Sequence, residues 1–170
     1  MGLFDTVYVS EDVGDAFDLA CASCGRVPSG DWQTKSLDPV LLDYLLRRDD
    51  EGAFRLYLLD RPSDRRFWRE WTEEEIAESE EEARTTRLPL FSPKKRGEGH
   101  FLREAYLPEN RRQRFMGELP HQWVEIYARC DCDEFVARWL KFSDGVLEEV
   151  RPERPDPGPE LYEGTAWVVP

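Results

Sequence analysis

A chain of 170 residues, 40% hydrophobic and carrying six Trp, six Tyr and nine Phe, has the apolar mass for a folded core and is not disordered. Its 36 acidic and 23 basic residues leave a net charge of −13, which opposes general attraction to nucleic acid or anionic lipid, because both are polyanions. No apolar run approaches the roughly 18 to 20 residues that span a bilayer.

Length therefore predicts a single domain over residues 1–170. The start, Met1-Gly2-Leu3-Phe4-Asp5, has no basic stretch leading into an apolar one, so it does not read as a secretory signal. Gly2 raises N-myristoylation, but Asp5 and the strand-like continuation argue against it. The expectation is a cytoplasmic, reducing setting, where paired cysteines bind metal more often than they form disulfides.

Phe4 to Val9 is β-branched and aromatic and predicts a strand. A loop rich in Asp and Gly follows, then the segment leading to the first cysteines. Trp32-Gln33-Thr34-Lys35 reads as extended, with Trp32 and Thr34 on one face and Gln33 and Lys35 on the other; a polar recognition edge is the alternative. Leu41 to Arg47 and Ala53 to Leu59 predict a hairpin whose turn needs the positive φ that Gly52 supplies. Thr72-Glu73-Glu74-Glu75 is a capping box, and the acidic helix it opens is expected over about 64–86, with Phe67, Trp68 and Trp71 on its first turns. Pro89, Pro93 and Lys94-Lys95-Arg96 make 88–99 a surface loop. Gln122 to Arg129, Glu134 to Phe142 and Val146 to Val150 form a three-stranded meander with its second turn at Ser143-Asp144-Gly145. The proline-rich extension 151–160 suits neither helix nor central strand, and the apolar tail 161–170 is expected to dock on the body.

The chemistry-bearing residues are the cysteines. Cys21-Ala22-Ser23-Cys24-Gly25 has the shape of a zinc knuckle: two thiolates three residues apart hold one ion while the glycine lets the backbone turn beneath it. Cys130-Asp131-Cys132 is one residue tighter. Together Cys21, Cys24, Cys130 and Cys132 predict a zinc-ribbon-like clasp around one structural zinc, with reduced thiols as the first alternative and disulfides as the second. His100 and His121 accompany no nucleophile motif, and His121 is a minor alternative ligand. Walker, Rossmann and His-Glu-x-x-His signatures are missing from the sequence.

The opening Met-Gly-Leu-Phe-Asp, the Trp32 to Asp38 segment and Phe142-Ser143-Asp144-Gly145-Val146-Leu147 together resemble a family of small bacterial and phage proteins. Its members share a Met-Gly-x-Phe-Asp start and an aromatic-Gln-Thr-Lys-x-Leu-Asp stretch, often with Cys-x-x-Cys. The family has no settled function. The resemblance covers about the first 45 residues and the C-terminal meander; it implies a compact β-rich fold with the cysteine clasp and carries over no catalytic residue. The acidic helix and basic loop look like an insertion particular to this chain.

The overall expectation is an α+β fold of antiparallel hairpins and meander with one acidic helix. Functionally, the chain reads as a non-enzymatic binding protein, an immunity, inhibitor or accessory component of a bacterial or phage system. Its acidic helix, through Glu74, Glu78 and Glu81, would meet a basic surface on a protein partner. The alternatives are a nucleic-acid module using Lys94, Lys95, Arg96, Arg111, Arg112 and Arg114, and an enzyme of unrecognised type.

Overall fold

A computed structural model describes residues 4–37, 41–86, 92–119 and 122–155. Gly2, His121, the start of the 88–99 loop and the tail 161–170, with 156–160 of the extension before it, lie outside the described residues. The chain forms two compact units, Met1–Leu59 with Gln113–Pro170, and Asp60–Arg112.

The first unit is a closed barrel. Its strands are β1 (Asp5–Val9), β2 (Trp32–Thr34), β3 (Asp43–Arg48) and β4 (Phe54–Leu59), then β8 (Trp123–Arg129), β9 (Phe135–Ser143) and β10 (Val146–Arg151). The hydrogen-bonded order is β10-β9-β8-β2-β1-β3-β4, and a β10–β4 pairing closes the ring of seven. Between β4 and β8 in the chain come β5 (Trp68–Glu70) and β6 (Gly99–Phe101) of the second unit, and β7 (Gln113–Phe115), which lies against β4. A plain succession of hairpins and meander is thus corrected: β1 and β3 pair in parallel, and closure joins strands far apart in the chain. With two α-helices among the described residues, the fold is mostly β.

Local predictions hold where the signals are local. The β3–β4 hairpin forms with Asp43 opposite Leu59 and Arg48 opposite Phe54. Its turn is held by Asp49, whose carboxylate accepts the Glu51 and Ala53 amides, and Gly52 takes a φ of 89°. β8, β9 and β10 run up and down as read. The Asp- and Gly-rich segment after β1, expected as loop, instead forms helix α1 (Glu11–Ala16), because Val13 is fully buried and anchors it on the barrel core.

Inward positions of the strands fill the barrel with Val7, Trp32, Tyr44, Leu46, Leu56, Ile126 and Leu140, all at most 2% exposed. Trp32 and Thr34 are buried and Lys35 is exposed, as strand alternation requires. Gln33 opposite Tyr127 is the register pair between β2 and β8. Buried hydroxyls reinforce that join: Thr34 donates to the Glu125 carbonyl at 2.6 Å, and the Glu125 amide donates to Ser36 Oγ at 3.0 Å.

The second unit pairs β5 with β6, Trp68 opposite Phe101. Its helix α2 spans Glu73–Thr85. The expected start near 64 is corrected: Arg65–Phe67 is a single 3-10 turn, then β5 follows, and Thr72 adopts an extended N-cap conformation. The helix cannot run back through a capped, extended residue. The capping box forms as read, with the Glu75 amide donating to Thr72 Oγ1 and the Thr72 amide donating to the Glu75 carboxylate.

Glu75 also receives two guanidinium hydrogen bonds from Arg69, at 2.9 and 2.7 Å. These, with the Thr72 amide, hold its carboxyl down at about 2. A depressed acid stabilises the fold above its unfolded pKa and loses that contribution as pH falls through the folded one. The stability of this unit is therefore expected to decline from about pH 4.5 towards about pH 2. In Glu75→Gln that part of the acid titration should vanish, read as a flatter plot of unfolding free energy against pH.

Candidate functional site

The first cysteine pair is set on a turn. The Cys21 amide donates to the Arg26 carbonyl at 2.9 Å and the Gly25 amide to the Cys21 carbonyl at 2.8 Å. This ring closes only with Gly25 in the left-handed region, at φ 69°. The second pair occupies the β8–β9 turn, where the Cys130 amide donates to the Glu134 carbonyl and the Asp133 amide to the Cys130 carbonyl. Asp133 takes the left-handed conformation here, at φ 70°. A hairpin turn this tight brings both sulfurs to one side with a single intervening residue.

Two contacts lock these turns in place. Ser29 Oγ donates to Asp131 Oδ1 at 2.8 Å, tying the chain after the first turn to the second. Arg138 on β9 is buried, and its guanidinium donates to the carbonyls of Asp18 (2.9 Å), Ala20 and Ala137 (2.8 Å). The segment entering Cys21 is thereby fastened to the barrel wall.

The four sulfurs converge. Cys21 Sγ lies 3.6 Å from Cys132 Sγ, and Cys24 Sγ lies 3.5 Å from Cys130 Sγ. All four lie within 4.8 Å of one another, close enough to share one metal ion. Cys21 and Cys130 are buried, Cys24 and Cys132 half-buried, and all four are free thiols. A disulfide would need sulfurs about 2 Å apart.

Backbone amides aim at these sulfurs. Those of Cys24 and Ser23 pull the Cys21 thiol below its ordinary value. The Arg26 amide, against the opposing cost of desolvation, brings Cys24 down to about 6. Cys132 goes the other way: the Glu134 amide favours its thiolate, but desolvation and the neighbouring sulfurs push it up to about 12. A bound cation would favour the thiolate form that metal ligation requires. The Arg26 guanidinium, itself held charged chiefly by the Cys24 sulfur and then by Asp131, offsets part of that negative charge from outside. Arg26, Asp131 and Arg138 are the contributors that sequence reading missed. Arg26 directly follows the knuckle and was visible there, whereas Arg138 carries no local signal.

The other nominated residues lie elsewhere. On α2 Ser79 is buried and Glu75, Ile76 and Ala83 beside it are half-buried, while Glu74, Glu78 and Glu81 are exposed on the opposite face. Glu81 contacts Arg84 at 3.3 Å, while Glu74 and Glu78 have no cation within ion-pair distance among the described residues. In the basic loop, Lys94 Nζ sits 4.1 Å above the Trp71 ring, whose other neighbour is His100, stacked at 4.0 Å. Arg96 pairs with Glu73 at 2.6 Å, and Lys95 is exposed. Arg111 is buried and donates to the Asp60 carbonyl at 2.7 Å, while Arg112 and Arg114 are exposed. Among the described residues, no helix is long and apolar enough to cross a membrane.

Compared with protein-family models, with curated proteins and with solved structures, the chain matches none of them.

Proposed function

We propose that this protein is a zinc-clasped barrel whose inserted acidic unit docks on a basic surface of another protein. Zinc is the metal that suits the donor set: four thiolates at tetrahedral corners about 2.3 Å from one ion lie about 3.8 Å apart. The 3.5 and 3.6 Å sulfur separations are close to that spacing before any adjustment. Cys130 and Cys132 ligate from the β8–β9 turn, Cys21 and Cys24 from the knuckle, and the ion's role is to tie the two together.

The docking reading rests on the charge pattern of α2. The chain's own arginines engage Glu73, Glu75, Glu80 and, at an exposed 3.3 Å, Glu81. Glu74, Glu78 and Glu81 lie on one stripe opposite the packed face, at the spacing that brings helix positions together. Such a face recruits a basic partner chiefly by raising the association rate, and it is screened by salt.

The test is the triple variant Glu74→Lys, Glu78→Lys, Glu81→Lys. With the partner that co-purifies at low salt, its affinity should drop at least tenfold, and wild-type binding should weaken between about 50 and 500 mM salt. Equal affinity of variant and wild type would sink the docking reading while leaving the zinc clasp untouched.

A further inference from the structure

Among the described residues β9 has an open edge, and it lies beside the cysteine clasp. On one side β9 pairs with the whole of β8, from Phe135 opposite Arg129 to Lys141 opposite Trp123. On the other side β10 pairs only as far as Arg151 opposite Trp139. Pro152 follows and lacks the amide that would carry the ladder further. Among the described residues, 135–138 are therefore strand on one side and open on the other.

The direction of their backbone groups follows from the register. The Cys130 amide donates to the Glu134 carbonyl and the Phe142 amide to the Gln122 carbonyl, so even-numbered residues of β9 bond to β8. Phe135 and Ala137 turn their N–H and C=O groups the other way. Among the described residues the Ala137 carbonyl accepts the Arg138 guanidinium, and the Phe135 N–H, Phe135 C=O and Ala137 N–H point into a groove. That groove, of about 320 Å³, has Ala22 and Ser23 of the knuckle as its opposite wall.

Its chemistry selects an occupant. Phe135 is 67% exposed yet held in place by stacking on Tyr127, 5.5 Å between centroids, so it offers a fixed apolar shelf. Arg138 also lines the groove, but it is buried, and each of its three guanidinium nitrogens donates to a backbone carbonyl. The exposed charge at the groove is the carboxylate of Glu134, which has no ion pair among the described residues.

We infer that this edge captures an extended basic segment of another protein, which adds to β9 as a strand. The incoming backbone pairs with Phe135 and Ala137, an apolar side chain rests on Phe135, and a lysine or arginine faces Glu134. This is a second surface, on the barrel unit, and does not depend on α2.

The probes are two fluorescent eight-residue peptides of equal charge, alternating Lys-Val and repeated Lys-Lys-Pro-Pro; the second interrupts the amides of both edges and cannot pair as a continuous strand. The Lys-Val peptide should bind at least tenfold more tightly to wild-type protein and to the α2 triple-lysine variant alike. Ala137→Pro should abolish that difference with the thermal midpoint retained, since its N–H faces away from β8. Should that variant misfold, hydrogen exchange on wild-type protein replaces it: Lys-Val should protect the Phe135 and Ala137 amides. Equal binding of the two peptides, binding by neither, or an Ala137→Pro variant that keeps the preference would each overturn the inference, as would unprotected Phe135 and Ala137 amides.

Discussion

Removing the proposed zinc is expected to lower the thermal midpoint of the barrel by about 15 °C, and Cys130→Ser should reproduce most of that loss. The reasoning is topological. Cys24 and Cys130 are 106 positions apart, so one ion bridging them closes a loop that contains most of the chain. By the chain-entropy model for covalent crosslinks, a closure of that length disfavours the unfolded state by about 4 to 5 kcal/mol. Scanning calorimetry with and without a chelator, beside metal analysis of the purified protein, gives the result directly. A midpoint that does not move, in protein that carries no zinc, would remove the clasp from the account and leave four packed thiols.

The second large effect is expected at Arg138. Its guanidinium is buried among the carbonyls of Asp18, Ala20 and Ala137. Arg138→Ala leaves buried acceptors without donors and cuts the tie that holds the knuckle to β9, at a cost on the order of 3 kcal/mol. Arg138→Lys should recover little, because one ammonium cannot reproduce a planar fork aimed at three separate oxygens. Urea denaturation measures the loss. A competition titration with a zinc-binding dye should show weaker metal binding in both variants. If both keep wild-type stability and zinc affinity, Arg138 is incidental to the clasp.

The parts of this architecture that could be read from the sequence are those whose cause is local. Gly25 and Gly52 mark turns because each takes a positive φ that glycine adopts freely, and Thr72 with Glu75 satisfies two amides within four residues. Barrel closure has no such signature. It rests on the parallel β1–β3 pairing, on a one-pair bridge between Gln33 and Tyr127, and on another between Arg55 and Val146. The aromatic run Phe67, Trp68 and Trp71 suits helix or strand equally, and pairing with Gly99–Phe101 decided it. At the site, the clustering of the four cysteines was legible because thiol spacing is chemistry in itself. The arginine fastening them, and the free edge beside them, depend on where β10 stops relative to β9.

The second unit leaves the barrel after Leu59 and the chain returns at Gln113, and those two residues face each other in the β4–β7 ladder. Asp60 and Arg112 continue that pairing, with a 2.9 Å bond from the Asp60 amide to the Arg112 carbonyl. To the barrel, then, residues 60–112 are the tip of one hairpin, and lengthening or exchanging that tip costs only the slowly growing entropy of a longer loop. The barrel therefore has a natural graft point there: a two-residue Asn-Gly link in place of 61–111, closing on the hydrogen-bonded Asp60–Arg112 pair, should leave a foldable barrel.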